Sequence, residues 1–210
     1  MSKPPPAENL RVTTGVSGLD DILGGGLPAR RLYLIQGQPG SGKTTLALQF
    51  LLEGARRGEK VLYISLSETR EEVEEVARSH NWSLADVEIV ELSAIEKQLS
   101  ASAQNTLFHA SEIELTETTK LLLDAVEKVK PTRCAFDSLS ELRLLSQDAL
   151  RYRRQILSFR RVVHLKLQIE MLVLGKHVRH VGNEFGLIAD QRIGGFVFPS
   201  RRNTQAAEHH

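Results

Sequence analysis

With 210 residues, 27 Lys and Arg against 26 Asp and Glu, and a formal net charge of +1, the chain has room for one sizeable core. It has no global electrostatic pull toward nucleic acid or an anionic membrane. One cysteine, Cys134, excludes an internal disulfide and a four-cysteine zinc site, no apolar run approaches ~18 residues, and residues 1–10 lack a hydrophobic signal region, so a soluble cytoplasmic protein is expected, neither secreted nor membrane-bound.

Residues 1–10, MSKPPPAENL, are proline-rich and polar and read as a flexible lead-in. In RVTTGVSGLDDILGGGLP, residues 11–28, Val16, Leu19, Ile22 and Leu23 suit a short helix ending at Gly24, Gly25 and Gly26, before Pro28 resets the chain. Leu32, Tyr33, Leu34 and Ile35 then form the continuous apolar run of a strand buried on both faces of a parallel sheet. That run breaks into Gly37, Gln38, Pro39, Gly40, Ser41, Gly42, Lys43 and Thr44, which fill the template G-x-x-x-x-G-K-[ST]. In such a loop successive backbone N–H groups point inward onto phosphate oxygens, and a Cβ would hold the backbone off the anion. Lys43 brings a point charge to the β/γ-phosphates and Thr44 a hydroxyl ligand for Mg²⁺, while the next helix, with Thr45 in its first turn, presents the positive end of its dipole. Leu46, Ala47, Leu48, Phe50, Leu51 and Leu52 give that helix a broad apolar stripe, and Arg56, Arg57 and Gly58 close it. Strand, loop and helix together favour a phosphate-binding site over a glycine-rich connection that binds nothing.

The second strand, residues 61–66, delivers Ser67, Glu68 and Thr69 at its carboxyl end, where chemistry sits in open α/β sheets. Thr69 and Glu72 form a capping box that opens a helix to about His80, and its Glu71, Glu72, Glu74 and Glu75 read as a solvated face rather than a metal site. Trp82 and a strand over residues 87–92 come next. Residues 93–110 are polar, with Gln98, Gln104, Phe108 and His109, the histidine reading as a surface or packing residue rather than a ligand. Ser111 and Glu114 predict a second capping box, opening a helix through Leu121, Leu122, Leu123, Ala125, Val126 and Val129 that stops before Pro131. After it, RCAFDSL, residues 133–139, is an apolar strand ending on Asp137. A carboxylate so placed, about ninety residues after a phosphate loop, fits a Walker B aspartate that holds Mg²⁺ through water; the alternative is an aspartate capping the next turn. Residues 148–163 place Leu150, Ile156, Leu157, Phe159 and Val163 at helical spacing, with Arg151, Arg153, Arg154, Arg160 and Arg161 opposite. That basic face suits solvent or acidic neighbours better than nucleic acid. Residues 164–174, with Leu165, Leu167, Ile169 and Met171 on one face, and residues 194–199 read as strands, and residues 201–210 as a loose tail.

TTGVSGLDDILGGGLP, GQPGSGKTTLALQFLLEGARRGE, VLYISLSET, TLFHASEIELTETTK and FDSLSELRLL together resemble the KaiC-like ATPases of the RecA/RadA superfamily, over residues 11 to about 157. The resemblance implies one domain over residues 11–200: an α/β RecA-like P-loop core with a mostly parallel sheet flanked by helices. A C-terminal β-hairpin is also implied, because GNEFGLIADQRIGGFVFP, residues 182–199, resembles the family's tail. It further implies ATP and Mg²⁺ as cofactors, with ATP held by residues 37–45 between subunits of a homo-oligomeric ring such as a hexamer. Thr44 and Asp137 become the metal-side residues, and Lys43 and Glu68 the catalytic ones. RadA recombinase is the nearest competitor, but that family is expected to carry an N-terminal zinc module that one cysteine cannot build.

The chain departs from the family's pattern in two places. Members commonly set adjacent glutamates after the second strand to orient the attacking water; here the pair is Ser67 and Glu68, and only Glu68 can act as a base. After residue 163 a further core strand closing on paired aspartates is expected and does not come, and the segment that carries the autophosphorylated Ser/Thr of clock KaiC is missing with it. Residues 164–174 are expected to fill the vacancy, since their apolar end can be buried on both faces. Lys166, Lys176 and Arg179 are stand-ins for the basic residues that reach a neighbour's γ-phosphate. The expectation is a slow Mg²⁺-dependent ATPase coupled to ring assembly or to a signalling protein, with autokinase activity as ancestry only. The alternatives are a nucleotide-gated interaction module that does not hydrolyse, and a DNA-dependent ATPase supported only by the arginine-rich helix.

Overall fold

The computed structural model describes residues 10–91, 110–138, 150, 154, 170–176 and 193–197. Successive strands of near-continuous apolar sequence can be buried only if helices cover both faces of a sheet. The described chain does this. Its elements are β1 (Arg11–Val12), α1 (Ser17–Ile22), β2 (Leu27–Pro28), β3 (Leu32–Gly37), α2 (Lys43–Arg56), β4 (Val61–Ser65), α3 (Arg70–Ser79), β5 (Glu88–Glu91), α4 (Ala110–Val129), β6 (Arg133–Asp137), β7 (Glu170–Lys176) and β8 (Ile193–Val197).

The main sheet runs β5-β4-β6-β7-β3-β8, and every pairing in it is parallel. Side chains alternate between its faces. Tyr33, Ile35, Val61, Tyr63 and Ala135 pack with Leu46, Ala47, Leu48, Phe50, Leu51 and Leu52 of α2 and with Val73 and Ala77 of α3. Leu62, Ile64, Cys134 and Phe136 alternate to the other face, where α4 lies against β4 and buries Leu122 and Val126. Burial in this layer pushes the Cys134 thiol well above its ordinary pKa, so it behaves as a small apolar group.

β7 supports the reading that this part of the chain fills the vacancy in the sheet. It occupies the slot between β6 and β3, with Met171 level with Cys134 on one side and Leu32 on the other. The described part of the strand is Glu170–Lys176, and the alternating stretch before it lies outside the described residues. Of the expected C-terminal hairpin, only Ile193–Val197 is described, and it is a parallel edge strand on β3. Its other arm, residues 93–109, the arginine-rich helix apart from Leu150 and Arg154, Lys166, Arg179 and the tails fall outside the described residues.

Smaller differences have local causes. α3 opens on the expected capping box: the Thr69 hydroxyl accepts from the Glu72 N–H, and the Glu72 carboxylate accepts from the Thr69 N–H at 2.7 Å. The second capping box is not at the helix start, because α4 already includes Ala110 and so places Ser111 within the helix. α1 forms, but Ile22 is 84% exposed; only Val16, Leu19 and Leu23 lean on the core. The segment before β3 is more than a connector, since Arg11 and Val12 pair antiparallel with Pro28 and Leu27. The Thr14 N–H and hydroxyl both donate to Asp20 at 2.8 Å, which ties this ladder to α1.

Arg133 heads β6 and is buried, although its strand reads as an apolar run. Its Nε and Nη2 donate to Glu59 at 2.7 and 2.9 Å, and Nη1 donates to the carbonyls of Thr13 and Phe50 at 2.7 and 3.1 Å. Its guanidinium lies 4.9 Å from the centre of the Phe50 ring. Gly54 gives it room: a Cβ there would come within 2.7 Å of Arg133 Cδ. One side chain thus joins β6, α2, the turn before β4 and the N-terminal segment.

Candidate functional site

In a parallel sheet all carboxyl ends lie along one edge, so the segments leaving β3, β4, β6 and β7 start from the same place. β3 delivers the glycine-rich loop. Gly40 and Gly42 take φ of +75° and +86°, a region costly for any residue with a Cβ, and a Cβ at either would meet nothing within 4 Å. The turn closes with the Ser41 N–H on the Gln38 carbonyl at 3.1 Å, and Lys43 Nζ curls back to the same carbonyl at 3.0 Å. Gly42 is the N-cap of α2 and has no side chain to cap it, so the first helical turn opens toward the loop with its dipole uncapped. Gln38, Pro39 and Gly40 are exposed, and Lys43, Thr44 and Thr45 are half-buried.

β6 delivers Asp137, which is 7% exposed and level with Ser65 of β4 and Leu174 of β7. The Thr44 hydroxyl donates to Asp137 Oδ2 at 3.2 Å, so the two residues named as metal-side partners from sequence are in contact. The Tyr63 phenol donates to the same oxygen at 2.8 Å. Lys176 ends β7 level with Gly37, which puts its backbone beside the loop of its own chain.

β4 delivers Glu68 through a short, well-held turn. The Leu66 N–H extends the ladder to the Asp137 carbonyl at 2.7 Å. The Ser65 hydroxyl donates to the Glu68 carbonyl at 2.6 Å and accepts from the Glu68 N–H at 2.9 Å. Burial raises the proton affinity of Glu68, the nearby charges of Asp137 and Glu72 raise it further, and Lys43 opposes them. Ser67, its neighbour, is exposed.

Three buried polar atoms have no hydrogen-bond partner among the described residues: Gln36 Nε2 near the end of β3, Ser41 Oγ in the loop, and Glu68 Oε2. Orphaned buried donors and acceptors cost stability unless something else satisfies them. All three lie in the loop or beside a strand end that borders it. A cradle of glycine backbone, a lysine, a hydroxyl–carboxylate pair and a carboxylate of raised basicity suits a polyphosphate with a divalent cation and a proton acceptor alongside. Sequence reasoning misses Tyr63 and Ser65 because both sit inside a strand that reads as core. Their only signal is parity: two and four residues after Val61, they share its face, and Ser65 is level with Asp137.

A family model described as "ATPase: KaiC" matches residues 12–194. Over 161 residues the chain is 31% identical to a UPF0273 protein of Aeropyrum pernix, covering 73% of this chain and 63% of that one. UPF0273 protein PH0284 of Pyrococcus horikoshii is 30% identical over 137 residues, 63% of this chain and 56% of its own. The circadian clock oscillator protein KaiC of a Picosynechococcus strain is 32% identical over 136 residues, 65% of this chain and 24% of its own. The chain spans 54–63% of the length of the UPF0273 relatives it matches. Among solved structures, KaiC-like protein PH0186 of P. horikoshii aligns with a TM-score of 0.64 at 20% identity, covering 80% of this chain and 71% of that one, which is a likeness of fold.

Proposed function

For a chain that belongs to the KaiC family of ATPases, we propose slow, Mg²⁺-dependent ATP hydrolysis at the β3–α2 loop, coupled to assembly of a homo-oligomeric ring in the cytoplasm and to a signalling protein. The observation that carries this reading is the convergence on one loop of the Thr44–Asp137 contact and of three orphaned buried polar atoms. Residues 37–45 would hold the phosphates, and Thr44 and Asp137 would hold Mg²⁺, which when bound neutralises charge on the β- and γ-phosphate oxygens. Lys43 would exchange the Gln38 carbonyl for a phosphate oxygen, a stronger, charge-assisted acceptor. Glu68, with its raised basicity, would orient and deprotonate the attacking water.

A second reading, nucleotide binding without hydrolysis, is favoured by one observation: the exposed Ser67 leaves Glu68 as the single carboxylate of that turn. Single-turnover phosphate release from bound ATP, measured against a Lys43→Ala control, separates the two. Release above the control supports the hydrolase. Tight ATP binding with no release above the control overturns it in favour of the nucleotide-gated module.

A further inference from the structure

Tyr63 is 0% exposed, lies in the middle of β4, and sits level with Ala135 of β6. Ala135 and Asp137 are two residues apart on one strand and so share a face. A methyl group at Ala135 leaves the phenol ring space to lie along β6 toward the loop. At the end of that path its hydroxyl meets Asp137 Oδ2 at 2.8 Å, the oxygen that also accepts from Thr44. For packing alone a phenylalanine would serve, and it would not bury a hydroxyl beneath α2. The hydroxyl is satisfied because the ring reaches the loop end of β6, where it meets the Asp137 carboxylate and the Thr44 side chain.

We propose that Tyr63 is a positioning residue for the metal: by pinning Asp137 Oδ2 it fixes the plane of the carboxylate beside Thr44, and so sets the affinity for Mg²⁺ when nucleotide is bound. The proposal rests on the nucleotide–Mg²⁺ reading of the site. Groups that orient metal-side carboxylates typically change metal affinity 10–100-fold when removed, and the phosphates share the metal here, so the lower end, about 10-fold, applies.

The test uses the full chain with ADP and Mn²⁺ as the probe, read by electron paramagnetic resonance. Tyr63→Phe should raise the Mn²⁺ Kd about 10-fold while leaving ADP affinity in EDTA unchanged. In an Asp137→Asn background the same substitution should add nothing, because Tyr63 acts through that carboxylate. Unchanged Mn²⁺ affinity in Tyr63→Phe, or an equal further loss in the double variant, would overturn the proposal and leave Tyr63 as packing. A second measurement needs no substitution at Tyr63. With tyrosine carbon-13 labelled at Cζ, the chain gives three signals, from Tyr33, Tyr63 and Tyr152, assigned by Tyr33→Phe and Tyr152→Phe. Adding Mg²⁺ to the ADP-bound protein should shift the Tyr63 signal, and a stationary signal would overturn the proposal. Mn²⁺ binding that Lys43→Ala abolishes establishes the underlying site; an unmodified chain that binds no Mn²⁺–ADP sinks both readings together.

Discussion

The two ends of β6 are four residues apart in sequence and opposite in character. At its start, Arg133 is buried with its guanidinium satisfied by Glu59 and by the carbonyls of Thr13 and Phe50. Beyond its end, around Asp137, Gln36 Nε2, Ser41 Oγ and Glu68 Oε2 are buried with no partner among the described residues. Among the described residues the same sheet therefore holds one polar cluster that is complete and one that is open. A complete cluster rigidifies and specifies the fold, while an incomplete one costs stability until a ligand fills it. Substitutions at the first end should move stability and spare binding, and substitutions at the second should do the reverse.

The largest effect is expected at the open end. On the proposed reading Lys43→Ala would remove a direct charge on the phosphates and should weaken ATP binding by about 10³-fold, as truncating one partner of a desolvated charge pair does. Asp137→Asn should keep nucleotide affinity and lose its Mg²⁺ dependence, since on the same reading that carboxylate would reach the phosphates only through the metal. Isothermal titration with and without Mg²⁺ measures both. Equal loss in the two variants, with circular dichroism unchanged, would erase the division of roles.

At the closed end, Arg133→Met strips Glu59 and two carbonyls of their donor. Breaking a buried pair on one side typically costs 3–5 kcal/mol, and Glu59 is partly hydrated, so about 3 kcal/mol is expected in urea unfolding. Gly54→Ala should reproduce part of this loss by pressing a methyl on the guanidinium. ATP affinity of either folded variant should stay within about twofold of the unmodified chain, because distant sites act independently. A Kd that collapses along with stability would mean the two ends are coupled through β6.

Also at the open end, Glu68→Gln should slow hydrolysis about 10²-fold at unchanged ATP affinity, in line with the loss of a positioned base. The variant should also be the more stable chain above pH 4.5. The pKa of Glu68 is raised in the folded state, so its ionisation opposes folding as pH climbs past the unfolded value of 4.5 and on through the folded one. Hydrolysis at the parent rate would move the water-orienting role elsewhere.

The open end is the more legible in sequence. Eight consecutive residues specify the loop because its geometry is made by its own backbone, and Asp137 is marked by the strand pattern before it. Non-local choices are harder. That residues 170–176 slot between β6 and β3 depends on register with strands far away in the chain, which periodicity alone does not supply. Arg133 and Tyr63 disappear into apolar runs because a strand pattern counts residues, whereas their polar atoms are satisfied by partners 74 and more positions distant. Helical spacing places Ile22 inward, but α1 is six residues long and rolls its last apolar side chain into solvent.

The smallest predicted effect belongs to the closed end, at Glu53 of α2. Its carboxylate accepts from the Thr13 hydroxyl at 3.1 Å and from Arg57 Nε at 2.8 Å, so it ties the N-terminal segment to the helix beside Arg133. Burial by itself raises its pKa, but the hydrogen bonds from Arg57 and Thr13 and the charges of Arg57 and Arg133 outweigh it, and the net shift is below 4.5. A lowered folded pKa means that the ionised form is favoured by folding, so its contribution is present above the unfolded value and is lost as pH falls through the folded one. Glu53→Gln should therefore cost no more than about 1 kcal/mol at pH 7, the scale of a partly exposed ion pair. The gap to the unmodified chain should close as pH drops below 4.5. Urea midpoints of both chains across that range read the gap directly, and ATP affinity at pH 7 should be the same in each. A gap that persists undiminished well below pH 4.5 would assign Glu53's contribution to packing rather than charge, and the charged contacts of the closed end would then be those of Arg133 with Glu59 and with the Thr13 and Phe50 carbonyls.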